Sequence, residues 1–329
     1  MTRPRIVISK CIEFDNCRWN GEIIKDEFVN HLKPYVEFIP VCPEVEAGLG
    51  VPREPVDIIL IDGDPRLIQK KSGEDLTRPL KGISIILLRS IKRIDGFILK
   101  SKSPSCGIRD ARVFSDIKKK KPPIRGTGIF AREVLKRYPH ILVEDEKRLK
   151  KFRIRENFLT RVFTISRFNE VKKTYIPETL RQFHSQHRQL ISSYSRKILK
   201  DMDETIAQLN DISLNYSRQK KDVVMRYEQQ LIKAISCNRR KRTVIDIIYR
   251  NLQKYSPNIP SKQVEHILTS VERYKKEETP LSVLLELMRP YTEKNKGLYE
   301  ATDAFFYPFP IELLSDLNTN MSEKNLEQQ

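Results

Sequence analysis

Three short apolar runs, each stopping at or just before a cysteine, constrain this chain more than any other feature. "RPRIVISKC" ends at Cys11, "PYVEFIPVC" ends at Cys42, and "DGFILKSKSPSCG" carries Cys106 in a Ser-Pro-Ser-Cys-Gly turn beyond its apolar stretch. Runs of this length, rich in Ile, Val and Phe, read as strands buried on both faces, the pattern of a parallel sheet. The polar and turn-forming residues after each run place the thiols in loops at strand ends.

What lies between the runs supports a parallel arrangement. "GEIIKDEFVNHLKPY" carries Ile23, Ile24, Phe28, Leu32 and Tyr35 as a helical stripe, so the first two strands form a strand-helix-strand unit with a right-handed crossover. "VDIILIDGD" reads as another buried strand ending in turn residues, and "GEDLTRPLKGISIILLRSIKRID" as a helix between that strand and the next. After "ARVFSD" come a helix over 129–137, the apolar run "HILVED", and a helix in "RENFLTRVFTISRF" with Phe158, Val162, Phe163 and Ile165 on its apolar face. This alternation predicts an α/β domain over residues 1–170 with a Rossmann-like open parallel sheet. Ligands of such sheets bind outside the carboxyl ends of the strands, where Cys11, Cys42 and Cys106 are all expected.

From Tyr175 the texture changes. "ETLRQFHSQHRQLISSY", "YEQQLIKAISC", "RTVIDIIYRNLQKY", "KQVEHILTSVERYKK" and "LSVLLELMRPY" repeat apolar residues at helical spacing, separated by Pro, Asn and Ser signals. An all-α domain over 171–315 and a polar tail over 316–329 follow, and a length of 329 residues accommodates two ordinary domains.

Charge narrows the partners. The formal net charge is +18, and Lys and Arg exceed Asp and Glu by 14 over residues 1–173 but by only 4 over 174–329. Such an excess attracts polyanions, nucleic acid or an anionic surface, although a basic surface without a partner has the same composition. No stretch is apolar enough to span a membrane, and "MTRPRIVISKC" has no apolar signal-peptide core, so a cytoplasmic protein is expected. Five scattered cysteines do not make a disulfide scaffold. Three strand-end thiols read either as soft metal ligands or as small buried side chains, and no Cys-x2-Cys pair decides between the two.

The segments "ISKC…RWNG", "PVCPEVEAGLGVPREP", "GFILKSKSPSCG", "GIFAREVL" and "RENFLTRVF" resemble the iron-sulfur thiouracil desulfidase family. Residues 175 to about 310, through "LRQFHSQHR", "RRKRTVIDIIYRNLQKY" and "TPLSVLLELMRPY", resemble the helical domain fused to it in bacterial enzymes that remove sulfur from 4-thiouridine in tRNA. By that resemblance Cys11, Cys42 and Cys106 each bind an iron of a 4Fe-4S cluster, leaving one iron open to capture a thione sulfur. Water then attacks carbon 4 of the pyrimidine and hydrosulfide leaves. Glu44, two residues from a ligand, is the candidate acid and base, against the plainer reading of a loop ion pair with an arginine such as Arg53. Ser101 and Ser103 are candidates to hold the pyrimidine or the water, with Ser105 shaping the turn. Cys17 departs from the family pattern, which has an apolar residue there; as a fourth ligand it would close the open iron.

Thiolated tRNA is the expected partner, held by Lys and Arg on its phosphates. The candidates are Lys118, Lys119, Lys120 and Lys121 with Arg125, and the cluster Arg239, Arg240, Lys241 and Arg242 at the start of a helix, whose amides also favour phosphate. Arg242 stands where the family would have a histidine. His184 and His187, three apart on one helix, read as a packed or phosphate-facing pair. The competing readings are a desulfidase of free thiouracil or another small thiolated compound, and a non-catalytic RNA-binding protein with a structural or redox-sensing cluster.

Overall fold

The computed structural model describes residues 3–118, 120–210, 217–294 and 303–314. The chain divides into two compact units between Ser166 and Arg167. In the first, the elements run β1 (Arg5–Ser9), α1 (Glu27–Leu32), β2 (Glu37–Val41), α2 (Pro43–Glu46), β3 (Val56–Ile61), β4 (Asp64–Gln69), α3 (Thr77–Ser90), β5 (Gly96–Leu99), β6 (Ala111–Phe114), β7 (Ile124–Gly126), α4 (Ile129–Arg137), β8 (Val143–Asp145) and α5 (Phe152–Thr174), whose last turns belong to the second unit.

Four strands form an all-parallel sheet in the order β2-β1-β5-β8. All four residues of β5 are buried, as are Ile6 to Ser9 of β1, which is why these strands are continuously apolar rather than alternating. The chain leaves β1 for β2 on one side and later reaches β5 on the other. The loops after these strands therefore diverge and open a crevice at their carboxyl ends.

The remaining strands correct the expectation of one open parallel sheet. They form a second, mixed sheet in the order β4-β3-β6-β7, antiparallel except between β3 and β6. The cause is local: Asp62 and Gly63 have φ of 52° and 81°, and two consecutive left-handed residues make a tight hairpin turn that folds β3 back onto β4. The helix expected from Ile23 is also shorter. Asp26 caps α1 by accepting from the Val29 amide, and Ile24 pairs with Ile12 in an isolated bridge before the helix starts. Each sheet has its own apolar cluster, one built on Phe97, Leu99 and Phe130 and the other on Ile58, Leu80 and Val113.

The second unit contains α6 (Pro177–Tyr194), α7 (Arg196–Ala207), α8 (Ser217–Ser236), α9 (Lys241–Tyr255), α10 (Ser261–Lys275) and α11 (Leu281–Lys294), with no strand among the described residues. Phe168, Phe183 and Tyr227 form its aromatic centre, the ring centroids of Phe168 lying 5.3 and 5.6 Å from those of the other two. His184 bridges the Tyr227 hydroxyl at 3.1 Å and Asp203 at 2.8 Å, while His187 stacks on Phe183 and donates Nδ1–H to its carbonyl at 2.8 Å. The pair is packed into the unit. The tail over 316–329 lies outside the described residues. Among the described residues no helix is long and apolar enough to cross a membrane.

Candidate active site

Each of the three strand ends delivers its cysteine differently. Cys11 lies two residues past β1 and is half-buried. Cys42 follows β2 directly and stands at the N-cap of α2, where Pro43 supplies a preset first helical residue. Cys106 sits in the turn after β5. There Ser103 Oγ accepts the amides of Ser105 at 3.2 Å and Cys106 at 3.0 Å, and the Gly107 amide donates to the Ser103 carbonyl at 2.8 Å. The turn is pinned from behind by the start of α4, where the Ala131 amide donates to the Ser105 carbonyl at 3.1 Å. A Cβ on Gly128 would stand 2.4 Å from that same carbonyl oxygen, so only glycine allows the approach.

These thiols meet at one cavity of about 440 Å³, lined by Cys11, Cys42, Cys106 and also Cys17. Cys17 is 2% exposed and lies against Cys11 and Cys42, the Cys42 thiol reaching its backbone carbonyl at 3.9 Å. Its hydrogen bond to Cys11 and its burial push its thiol up to about 11. Contact with Cys17 and then burial raise Cys42, and burial above all raises Cys106, which also contacts Ser9 and Ser103. Without a cation at their centre these groups are neutral thiols; a cationic metal centre would favour their thiolates. All are free of disulfides. Among the described residues no three His, Cys, Asp or Glu side chains are grouped to hold a single ion. Soft thiols spread around a cavity fit instead a polynuclear cluster, in which each iron takes its own thiolate.

Glu44 projects into the same cavity, and Arg53 holds it there through Nε and Nη2, both 2.7 Å from Oε2. Arg53 also donates Nη2 to the Cys17 carbonyl at 3.0 Å and Nη1 to that of Gly50 at 3.0 Å. Ser101 is buried and donates Oγ–H to Glu146 Oε1 at 2.6 Å, while its amide donates to Oε2 at 2.8 Å; Lys100 Nζ completes the knot at 2.8 Å from Oε1. Ser103 and Ser101 both line the cavity. Ser105 is fully buried, and its Oγ has no partner among the described residues.

Glu146 is the neighbour of Ser101 that the sequence does not single out. It follows β8 in "VEDE", and it reaches Ser101 because β8 is hydrogen-bonded beside β5. That pairing is a property of the strand order, to which the acidic run itself gives no clue.

The basic candidates are scattered. Lys118, Lys120 and Lys121 are exposed between β6 and β7; Lys119 lies outside the described residues. Arg125 is exposed on β7. In the second unit Arg240 and Arg242 are exposed at the start of α9, whereas Arg239 lies over the Tyr194 ring at 5.1 Å and Lys241 pairs with Glu277 at 2.6 Å.

Pooled thiols at the carboxyl ends of adjacent parallel strands, with a buried carboxylate beside them, define an α/β domain with a thiol-lined site. Residues 6–146 match the 2-thiouracil desulfurase family, and the chain belongs to it. An uncharacterized protein of Bacillus subtilis strain 168, YbbK, is 33% identical over 110 residues, which is 31% of this chain and 72% of that protein. The solved 4Fe-4S-dependent thiouracil desulfidase TudS is 25% identical, covering 45% of this chain and 94% of that chain with a TM-score of 0.36. Residues 188–310 match a family described as a protein of unknown function, DUF1722.

Proposed function

We propose that this protein is a 4Fe-4S-dependent desulfidase that removes sulfur from 4-thiouridine in tRNA, releasing uridine and hydrosulfide. The observation that carries the chemistry is the meeting of Cys11, Cys42 and Cys106 at one cavity that also holds Glu44. Those three cysteines would hold the cluster. When bound, it supplies a Lewis-acidic iron, not held by protein, for the thione sulfur of the substrate.

The reaction exchanges sulfur for the oxygen of water with no net redox change. The attacking water must lose a proton as its oxygen bonds to carbon 4, and Glu44 Oε1 takes that proton while Arg53 holds Oε2. Ser103 and Ser101 line the wall where the pyrimidine enters, and the Glu146 and Lys100 knot keeps Ser101 in place. The +18 net charge and the exposed lysines of the β6–β7 loop support a polyanionic substrate.

Anaerobically reconstituted protein is expected to convert thiolated tRNA to its uridine form with release of sulfide, and Cys11→Ala to abolish this. A second reading, favoured by the family's own description, is action on the free base. A higher kcat/KM for free 4-thiouracil than for thiolated tRNA would replace the substrate proposed. RNA binding without turnover, together with a cluster held by Cys17 as a fourth ligand, would replace the enzyme by a binding protein.

A further inference from the structure

Beside the cysteine cavity lies a second one, of about 610 Å³, with a different lining: seven basic side chains and only two carboxylates, Asp110 and Asp145. Both carboxylates are occupied by backbone. Asp110 accepts the Lys102 amide at 2.8 Å, and Asp145 accepts those of Lys147 at 3.0 Å and Arg148 at 2.8 Å. Of the cations, Arg148 is paired with Glu144 at 2.7 Å. Lys102, Arg109, Arg112, Arg125, Lys147 and Lys151 are exposed and have no carboxylate partner among the described residues. Such a concentration of unmatched positive charge in a concave surface focuses the field on an anion.

Two further features show that this is more than a basic face. Arg112 and Arg125 are direct cross-strand partners in the β6–β7 ladder, and both side chains are exposed. Like charges placed opposite each other weaken a sheet, so this pairing is a local cost without benefit to the fold. The two cavities also adjoin each other, with Lys102 and Arg112 lining both.

We propose that this groove is the phosphate subsite of the enzyme: it holds the phosphodiester backbone of the single-stranded RNA segment next to the nucleotide whose base enters the cysteine cavity. Lys102 and Arg112 stand at the junction, facing the phosphate closest to the base, while Arg125 and Lys151 hold the neighbouring ones. The proposal rests on the desulfidase reading for the role of the adjoining cavity, but the binding it asserts requires neither cluster nor thiolated base.

The test uses the full chain and an unmodified, fluorescently labelled single-stranded oligoribonucleotide, titrated at several salt concentrations. Arg112→Gln/Arg125→Gln is expected to weaken binding at least tenfold and to flatten the dependence of log K on log salt by about 1.4, the value for two lost phosphate contacts on a single strand. The same variant is expected to melt at or above the temperature of the parent, because a like-charge pair has been removed; this separates lost binding from lost folding. A control, Lys92→Gln/Lys136→Gln, neutralises two exposed cations that line neither cavity and is expected to retain the parental salt dependence. Unchanged affinity and slope in the arginine variant would overturn the subsite. So would competition by inorganic phosphate or uridine 5′-monophosphate as effective as that by the oligoribonucleotide, since the groove would then serve a lone phosphate. Failure of the desulfidase reading shows separately, as absence of sulfide release from both thiolated tRNA and free 4-thiouracil.

Discussion

Arg53 holds Glu44 by two nitrogens on one carboxylate oxygen, and both side chains are nearly out of solvent, at 4% and 11% exposure. The ion pair and the catalytic candidate are thus the same group, with Oε2 held and Oε1 left for chemistry. Glu44→Gln is expected to lower kcat by a factor of about 10² to 10⁴, the usual contribution of a positioned acid or base, with the cluster content unchanged. Arg53→Met strips a buried carboxylate of its partner and is expected to cost about 3 kcal/mol of stability, measured by denaturant unfolding. An active Glu44→Gln enzyme would remove Glu44 from the mechanism.

The thiols make distinct demands. Cys11→Ala, Cys42→Ala and Cys106→Ala are each expected to cut iron and acid-labile sulfide well below four per chain after anaerobic reconstitution. Cys17→Ala is expected to retain four of each, and its electron paramagnetic resonance spectrum after reduction should match the parent's. Loss of the cluster from Cys17→Ala would mean a fourth protein ligand and a closed site.

The Cys106 turn depends on a glycine outside it. Gly128→Ala places a methyl 2.4 Å from the Ser105 carbonyl, where the neighbour is backbone and cannot step aside. It is expected to lower stability by more than 2 kcal/mol and to reduce iron content together, because the displaced turn carries a ligand. Ser103→Ala removes the acceptor of two amides and should cost about 1 kcal/mol. A Gly128→Ala protein with full stability and full iron would contradict the clamp.

Acid should unfold the helical unit through His187. Burial, and then the charge of Arg167, hold its imidazole down to about 3 against an ordinary value of 6.5. Above pH 6.5 both folded and unfolded states are neutral at this residue and stability is complete. As pH falls from 6.5 toward 3 the unfolded state takes up a proton that the folded state refuses, so stability drops by up to about 1.4 kcal/mol per pH unit. Urea unfolding at stepped pH, followed by helical circular dichroism, measures the slope; His187→Phe should flatten it.

Much of this was legible in the residues. Buried strands are apolar on both faces and helices repeat every 3.6 residues, so β1, β5, α3 and the helices of the second unit are legible locally, whereas β2, expected to be buried on both faces, is an edge strand with Glu37 exposed and Phe38, Ile39 and Pro40 half-buried. The "IDGD" hairpin is also written in the chain, yet from the sequence it reads as a strand end, because a turn signal does not state which way the next strand pairs. The sequence by itself determined the thiols, their place after strands, the neighbouring Glu44 and the excess of positive charge. Only the tertiary structure decided that β5 takes the other side of β1 from β2, that Cys17 joins the other thiols, that Glu146 reaches Ser101, and that Arg112 faces Arg125. The physical reason is that composition and periodicity report what each residue buries along its own segment, whereas a site is made by groups distant in the chain, and strand order brings them together.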